Sequence, residues 1–251
     1  MCSIVILRQP GATYPLIIGG NRDEMAGRPW KPPARHWPER PDVLGGIDEL
    51  AGGSWLALND TGVVAVVLNR MGTLGPEPGK RSRGELVLDA LDHADAADAA
   101  GALVHLDPAA YRPFNLVVAD NRDAFWLTRR ADGTRIEIER IPEGVSMVTA
   151  NDLNDDSSNR IRFYRPLFAH ASVPDPAGGD WKDWEKLLGS RIWDGDAGPR
   201  GAMCVVTPTG FGTTSSALLA LPSADHPEIE PVFRFCPGRP DETPWEEVDL
   251  S

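Results

Sequence analysis

The sequence predicts an α+β fold in which two stacked antiparallel sheets are flanked by helices. Three observations carry this. Short runs rich in β-branched and aromatic residues recur along the chain, each closed by turn residues. Helical patterns do not alternate with them singly but are grouped between them, at residues 83–91 and 95–104 and again at 160–169 and 181–188. The run Val63-Val64-Ala65-Val66-Val67-Leu68 is apolar without interruption, as in a strand covered on both faces.

Taken in order, residues 1–24 read as a hairpin. Cys2-Ser3-Ile4-Val5-Ile6-Leu7 leads to a turn at Pro10-Gly11, returns through Leu16-Ile17-Ile18-Gly19-Gly20 and finishes on the cluster Asn21-Arg22-Asp23-Glu24. Residues 28–41 hold five prolines, which excludes a helix or a central strand and predicts a long ordered loop or lid. Its Trp30 and Trp37 either line a pocket mouth or pin the loop to the body. Residues 55–59 and 63–69 form a strand pair about the turn Asn59-Asp60-Thr61-Gly62. A Gly/Pro loop over 71–80 follows; it imitates a phosphate-binding loop, but its spacing and the residue after Lys80 are wrong.

Ser82, with Glu85 three positions on, predicts a capping box for the helix over 83–91. Strands follow at 114–118, 124–128, 135–141 and 145–149, with turns at 120–123 and 131–134. The Asp/Asn/Ser-dense stretch 151–159 lacks the glycine turn and closing glutamate of a calcium loop, so helix capping is the better account. Residues 203–207, 216–221 and 232–236 read as closing strands, and the acidic, Pro-rich tail from Pro237 as peripheral.

Composition bounds the function. The 251 residues fit one domain, 1–251. A formal charge of −12 argues against nucleic acid or an anionic membrane as main partner and leaves a small-molecule ligand or substrate. No apolar run approaches the ~18 residues needed to span a bilayer, so no integral membrane association is expected. The N-terminus lacks the pattern of a signal peptide. Three scattered cysteines, Cys2, Cys204 and Cys236, make neither a disulfide framework nor a zinc site, and a cytoplasmic location is expected.

The chemistry concentrates at Cys2. Removal of Met1 would put a thiol and a free α-amine on one residue. A free α-amine titrates near pH ~8 and can take the thiol proton. Arg22 suits holding the thiolate or a substrate carbonyl, and Asp23 suits orienting the new ammonium. Acyl transfer also needs donors for the oxyanion. Asn69 and Asn151 each follow a predicted strand, where a side-chain amide can project into a site.

Met1-Cys2, the hairpin and Asn21-Arg22-Asp23-Glu24 resemble the NRDE family, also called the transport-and-Golgi-organisation family. So do Gly52-Gly53-Ser54-Trp55, Leu68-Asn69-Arg70, Ser82-Arg83-Gly84-Glu85-Leu86-Val87, Phe114-Asn115-Leu116 and Phe211-Gly212-Thr213-Thr214-Ser215-Ser216. The resemblance implies a four-layer αββα sandwich similar to N-terminal-nucleophile (Ntn) hydrolases. Asn69 and Asn151 look like the strand-end asparagines of the choloylglycine-hydrolase and penicillin V acylase branch. It also implies roles in haem trafficking and lipid homeostasis, hence a carrier as the alternative to an amide hydrolase. No resident cofactor is expected; haem would be a carried ligand, with Cys236-Pro237, His36 and His170 as candidate contacts. The chain departs from the pattern at Thr214, where relatives tend to have arginine; Arg70 and Arg234 are the candidate substitutes.

Overall fold

The structure is a computed structural model that describes residues 2–251. Met1, and with it the expectation that Met1 is removed, lies outside the described residues. In chain order the first elements are β1 (Ser3–Arg8), β2 (Leu16–Met25), β3 (Trp30–Ala34), β4 (Val43–Asp48), β5 (Ser54–Asn59), β6 (Val64–Asn69), α1 (Gly84–Leu91) and α2 (Ala96–Leu103). Then come β7 (Phe114–Ala119), β8 (Ala124–Arg129), β9 (Glu137–Arg140), β10 (Gly144–Val148), α3 (Asn159–His170), α4 (Lys182–Leu188), β11 (Phe211–Leu221), β12 (Val232–Cys236) and β13 (Glu246–Glu247). They fall into two compact units, Met1–Gly27 with Pro142–Ser251, and Arg28–Ile141.

The first unit is a six-stranded antiparallel sheet in the order β10-β1-β2-β11-β12-β13. Its pleat sends alternate residues to opposite faces. Val5, Leu7, Ile17, Leu218 and Ala220 meet α3 and α4 in one apolar cluster with Tyr164, Phe168 and Trp184. Each large side chain so buried contributes about 1.5–3 kcal/mol. Gly19 and Gly20 allow the close packing. A Cβ on Gly19 would stand 2.9 Å from the Trp184 ring, and one on Gly20 would stand 2.8 Å from the Ser3 carbonyl oxygen. Ser158 caps α3 by accepting from the Ile161 N–H, as the polar stretch before it predicts.

The second unit is a seven-stranded antiparallel sheet in the order β3-β4-β5-β6-β7-β8-β9. Helices α1 and α2 pack on it through Leu86, Val87, Ala99 and Leu103 against Ala65, Leu116 and Val118. The expected capping box is half-formed: Glu85 accepts from the Ser82 N–H at 3.2 Å, while the hydroxyl of Ser82 serves Gly84 instead. Val63–Leu68 is buried throughout, as its apolar run predicts.

Several expectations need correction. The Pro-rich stretch contains an edge strand, β3, whose register slips between Lys31 and Ala34 where Pro32 and Pro33 interrupt the ladder. Trp30 packs edge-on against Trp55 at 5.7 Å, and Trp37 donates to the Gly52 carbonyl at 2.8 Å, so both pin the segment. β4 was not expected at all. The cluster Asn21–Asp23, on which the hairpin was expected to finish, lies inside β2 and is paired on both sides. β10 pairs with β1 and not with the strands that precede it. Residues 203–207 make only the bridge Val206–Gly212. The tail is less peripheral than expected: β13 extends the first sheet, and Trp245 packs on its core. Among the described residues no helix is long and apolar enough to cross a membrane.

Candidate active site

The site grows from the register of three neighbouring strands. Ser3 of β1 faces Asn21 of β2, which faces Ser216 of β11. All three lie on the face that carries α3 and α4. Asn21 is fully engaged there: its amide donates to the carbonyls of Leu188 and Met203, both at 2.9 Å, and its oxygen accepts from Ser216 Oγ at 2.7 Å. Asn21 is therefore a staple between β2, β11 and the segments after α4.

Two residues on, Asp23 points to the same face. One carboxylate oxygen accepts from Thr213 Oγ1 at 2.7 Å, and the other from Arg160 at 3.0 Å. Both members of the ion pair are buried, with side-chain exposures of 0% for Asp23 and 5% for Arg160. The same guanidinium donates to Ser3 Oγ and, at 2.6 Å, to the carbonyl of Arg200. Arg160 and Thr213 were not singled out in the sequence. A signal for Arg160 existed: Arg160, Tyr164 and Phe168 recur every fourth residue, so an arginine sits in phase with the buried stripe of α3. A charge there demands a buried partner.

Arg22 points the other way, onto the face of Ile4 and Ile18. By the same alternation that face takes the side chain of Cys2, just before β1. In β11 the register slips between Thr213 and Ser215, so Thr214 is the extra residue of a β-bulge. The bulge lets Thr213 serve Asp23 on one face and Thr214 serve Arg22 on the other. Arg22 donates to Thr214 Oγ1 at 2.9 Å, and that hydroxyl donates back to the Arg22 carbonyl at 3.2 Å. Ser215, directly across from Arg22, is wholly buried, and its Oγ has no hydrogen-bond partner among the described residues. An orphaned hydroxyl of this kind costs about 1–3 kcal/mol. Ser215→Ala is accordingly expected to leave the melting temperature unchanged or raise it, a result a calorimetric scan reads directly.

Cys2 is half-buried, and its Sγ lies 3.9 Å from the carbonyl oxygen of Asp23. Burial pushes the thiol above its ordinary value and the Asp23 charge adds to the rise; the Arg22 guanidinium opposes both. The balance favours the neutral thiol. Asn151 lies past the end of β10, in the same unit and at the end of the sheet where Cys2 stands. Its amide donates to Asp155 at 3.2 Å. Asn69 ends β6 in the second unit, half-buried.

The proposed substitutes for arginine at 214 are engaged elsewhere. Arg70 donates to Asn115 at 2.6 Å and to Thr128 at 2.9 Å, and Arg234 pairs with Glu185. The guanidinium beside Asp23 is that of Arg160. Of the candidate haem contacts, His36 is half-buried in the second unit and His170 exposed in the first, each bonded to a backbone carbonyl four residues back. Cys236 is buried, its Sγ 3.4 Å from the Thr243 carbonyl, and burial pushes its thiol up to about 11. Cys204 donates to Asp241 at 3.2 Å, and burial with that bond pushes it up to about 12.

These two thiols make a pH prediction. Both bind a proton more tightly folded than unfolded, where the ordinary value is 9.0. Their contribution to stability is whole below pH 9.0 and is lost as pH rises through about 11 and about 12. Denaturation midpoints are expected to fall across that window, and less so in a Cys204→Ala, Cys236→Ala protein.

Three structural and sequence comparisons bear on the site. An N-acylethanolamine-hydrolyzing acid amidase ortholog from Caenorhabditis elegans superposes with a TM-score of 0.62 at 12% identity, covering 99% of this chain and 100% of that one. A variant of the conjugated bile acid hydrolase of Clostridium perfringens gives a TM-score of 0.55 at 10% identity, covering 99% of this chain and 94% of that one. At such identities the likeness concerns the fold: α+β, two antiparallel sheets with helices, of the Ntn-hydrolase type. Among curated protein sequences none matches. The sequence pattern of the Transport and Golgi organisation 2 family matches residues 1–175, well over half of the chain, and the chain belongs to that family.

Proposed function

We propose that this protein is an Ntn-type cysteine amidohydrolase acting on a small linear amide or related acyl compound, with Cys2 as its N-terminal nucleophile. The observation that carries the reading is the placement of Cys2 beside Arg22 on one face of the sheet, with the Asp23 carboxylate locked behind the same strand pair. Loss of Met1 frees the Cys2 α-amine, which lies in the backbone between the two faces. The amine takes the thiol proton, and Sγ attacks the acyl carbon. The amine then returns the proton to the leaving nitrogen, and water hydrolyses the thioester. Arg22 stabilises the thiolate or the oxyanion, Asp23 orients the ammonium, and the amide of Asn151 supplies a further donor. That the structural neighbours include an N-acylethanolamine-hydrolyzing acid amidase and a conjugated bile acid hydrolase supports the reading. The free thiols suit a reducing compartment, the cytoplasm.

Intact mass of the purified protein, before and after a thiol-reactive acyl probe, tests this. The expected result is loss of Met1 and one fast adduct on Cys2. A Cys2→Ala protein with full activity on a confirmed substrate would sink the proposal.

The second reading is a non-catalytic carrier of haem or a lipid-related ligand on the same fold. Burial holding Cys2 as a neutral thiol, and Thr214 where relatives have arginine, favour it. Retained Met1 with an inert Cys2 is its expected signature. Absence of a Soret change on haem titration at micromolar protein rules out its haem version, to which the deeply buried Cys236 thiol is ill suited.

A further inference from the structure

We propose that Arg160 is the positioning residue of this site: its guanidinium fixes the Asp23 carboxylate and the residue that follows the nucleophile in a single frame. The inference rests on the catalytic reading of Cys2 and Asp23. Arg160 comes from the first turn of α3, far from both in sequence, yet it bonds Ser3 Oγ and Asp23 with one nitrogen and the Arg200 carbonyl with the other. Ser3 is covalently joined to Cys2. The same group that holds the carboxylate therefore also holds β1 at the point where the nucleophile leaves the sheet.

The remaining oxygen of Asp23 is held by Thr213 Oγ1, which itself accepts from the Val205 N–H at 2.8 Å. The carboxylate is thus fixed at both oxygens. A planar, permanently charged fork can serve three acceptors on different elements at once, and a lysine ammonium in its place would not reproduce that geometry. One helical turn on, Tyr164 donates to the Ile192 carbonyl at 2.5 Å and its oxygen lies within hydrogen-bond distance of the Ser190 hydroxyl, at 2.9 Å. Helix α3 thereby fastens residues 190–200 at both ends, which keeps the Arg200 carbonyl in place for Arg160. The arrangement supplies the guanidinium that position 214 lacks, from another element and behind the sheet.

The test is a double-mutant cycle read by the rate of Cys2 alkylation with iodoacetamide, followed by mass spectrometry on Met1-processed protein. Arg160→Met is expected to slow alkylation by about tenfold or more in the Asp23 background and by clearly less in the Asp23→Asn background, where only its hold on Ser3 remains to be lost. Arg160→Lys is expected to fall between wild type and Arg160→Met. A guanidinium with a merely structural role gives equal slowing in both backgrounds, and that result overturns the inference, as does no slowing in Arg160→Met. If Arg160→Met does not fold, Arg160→Lys in the two backgrounds makes the same comparison. An inert Cys2 in the wild-type protein overturns the catalytic reading itself, whereas a reactive Cys2 indifferent to Arg160 overturns only the positioning role.

Discussion

Asp23→Ala is expected to be the most damaging single change in the first unit. It leaves the Arg160 guanidinium in a site where both partners are almost fully enclosed. Breaking a buried ion pair by removing one member costs about 3–5 kcal/mol, because the survivor keeps its desolvation penalty and loses its attraction. For a chain of this length each kcal/mol moves the melting temperature by roughly 2–4 °C, so a drop of order 10 °C is expected. The companion variant Asp23→Ala, Arg160→Met removes both charges and is expected to recover much of the loss. A melt of Asp23→Ala within about 2 °C of wild type would show that the pair is not buried as described.

The second large effect is at Asn21. Asn21→Ala orphans two buried carbonyls, those of Leu188 and Met203, and the Ser216 hydroxyl. Unmade buried hydrogen bonds cost about 1–3 kcal/mol per group, with partial relief where a hydroxyl rotates, so a loss of about 2–4 kcal/mol is expected in urea unfolding. Asn21→Asp should cost more, since a carboxylate then faces two carbonyl oxygens. Cys2 alkylation in the folded fraction is expected to be nearly unaffected in both, which separates this residue from Arg22 and Asp23 beside it. Strong loss of alkylation in folded Asn21→Ala would assign Asn21 to the chemistry after all.

Much of this was legible in the sequence because local rules and tertiary structure agree there. The hairpin, the Asn59–Gly62 turn, the capping stretch before α3 and the buried run of β6 follow from alternation, turn residues and capping alone. Where they fail, a cause can be named. β4 is hidden by Gly45-Gly46, which lowers strand propensity; a Cβ on Gly45 would come 2.7 Å from the Leu56 carbonyl oxygen, so the residue serves the packing of β4 on β5. The pairing of β10 with β1 is a long-range choice to which periodicity is blind. The strand reads as finishing on Asn21-Arg22-Asp23-Glu24 because consecutive polar residues interrupt its apolar pattern. Within a strand those residues are sent alternately to two faces with different tasks. Arg160 was missed because Asn159, Arg162 and Arg165 dilute the stripe it shares with Tyr164 and Phe168.

The bulge at Thr214 makes one position of β11 interchangeable. Every other residue from Phe211 to Leu221 belongs to a ladder pair or fixes its neighbours' facing, so changing the count there by one would turn Thr213 away from Asp23 and Ser216 away from Asn21. Thr214 alone stands outside the count. Its side chain can be exchanged for a longer or a charged one while the frame on either side keeps its place. Substitution can therefore retune what meets Arg22 at this slot without refolding the sheet beneath it. Deleting the residue would return β11 to regular pairing, with Thr213 still opposite Asp23 and Ser216 still opposite Asn21, and would remove only the contacts between Thr214 and Arg22.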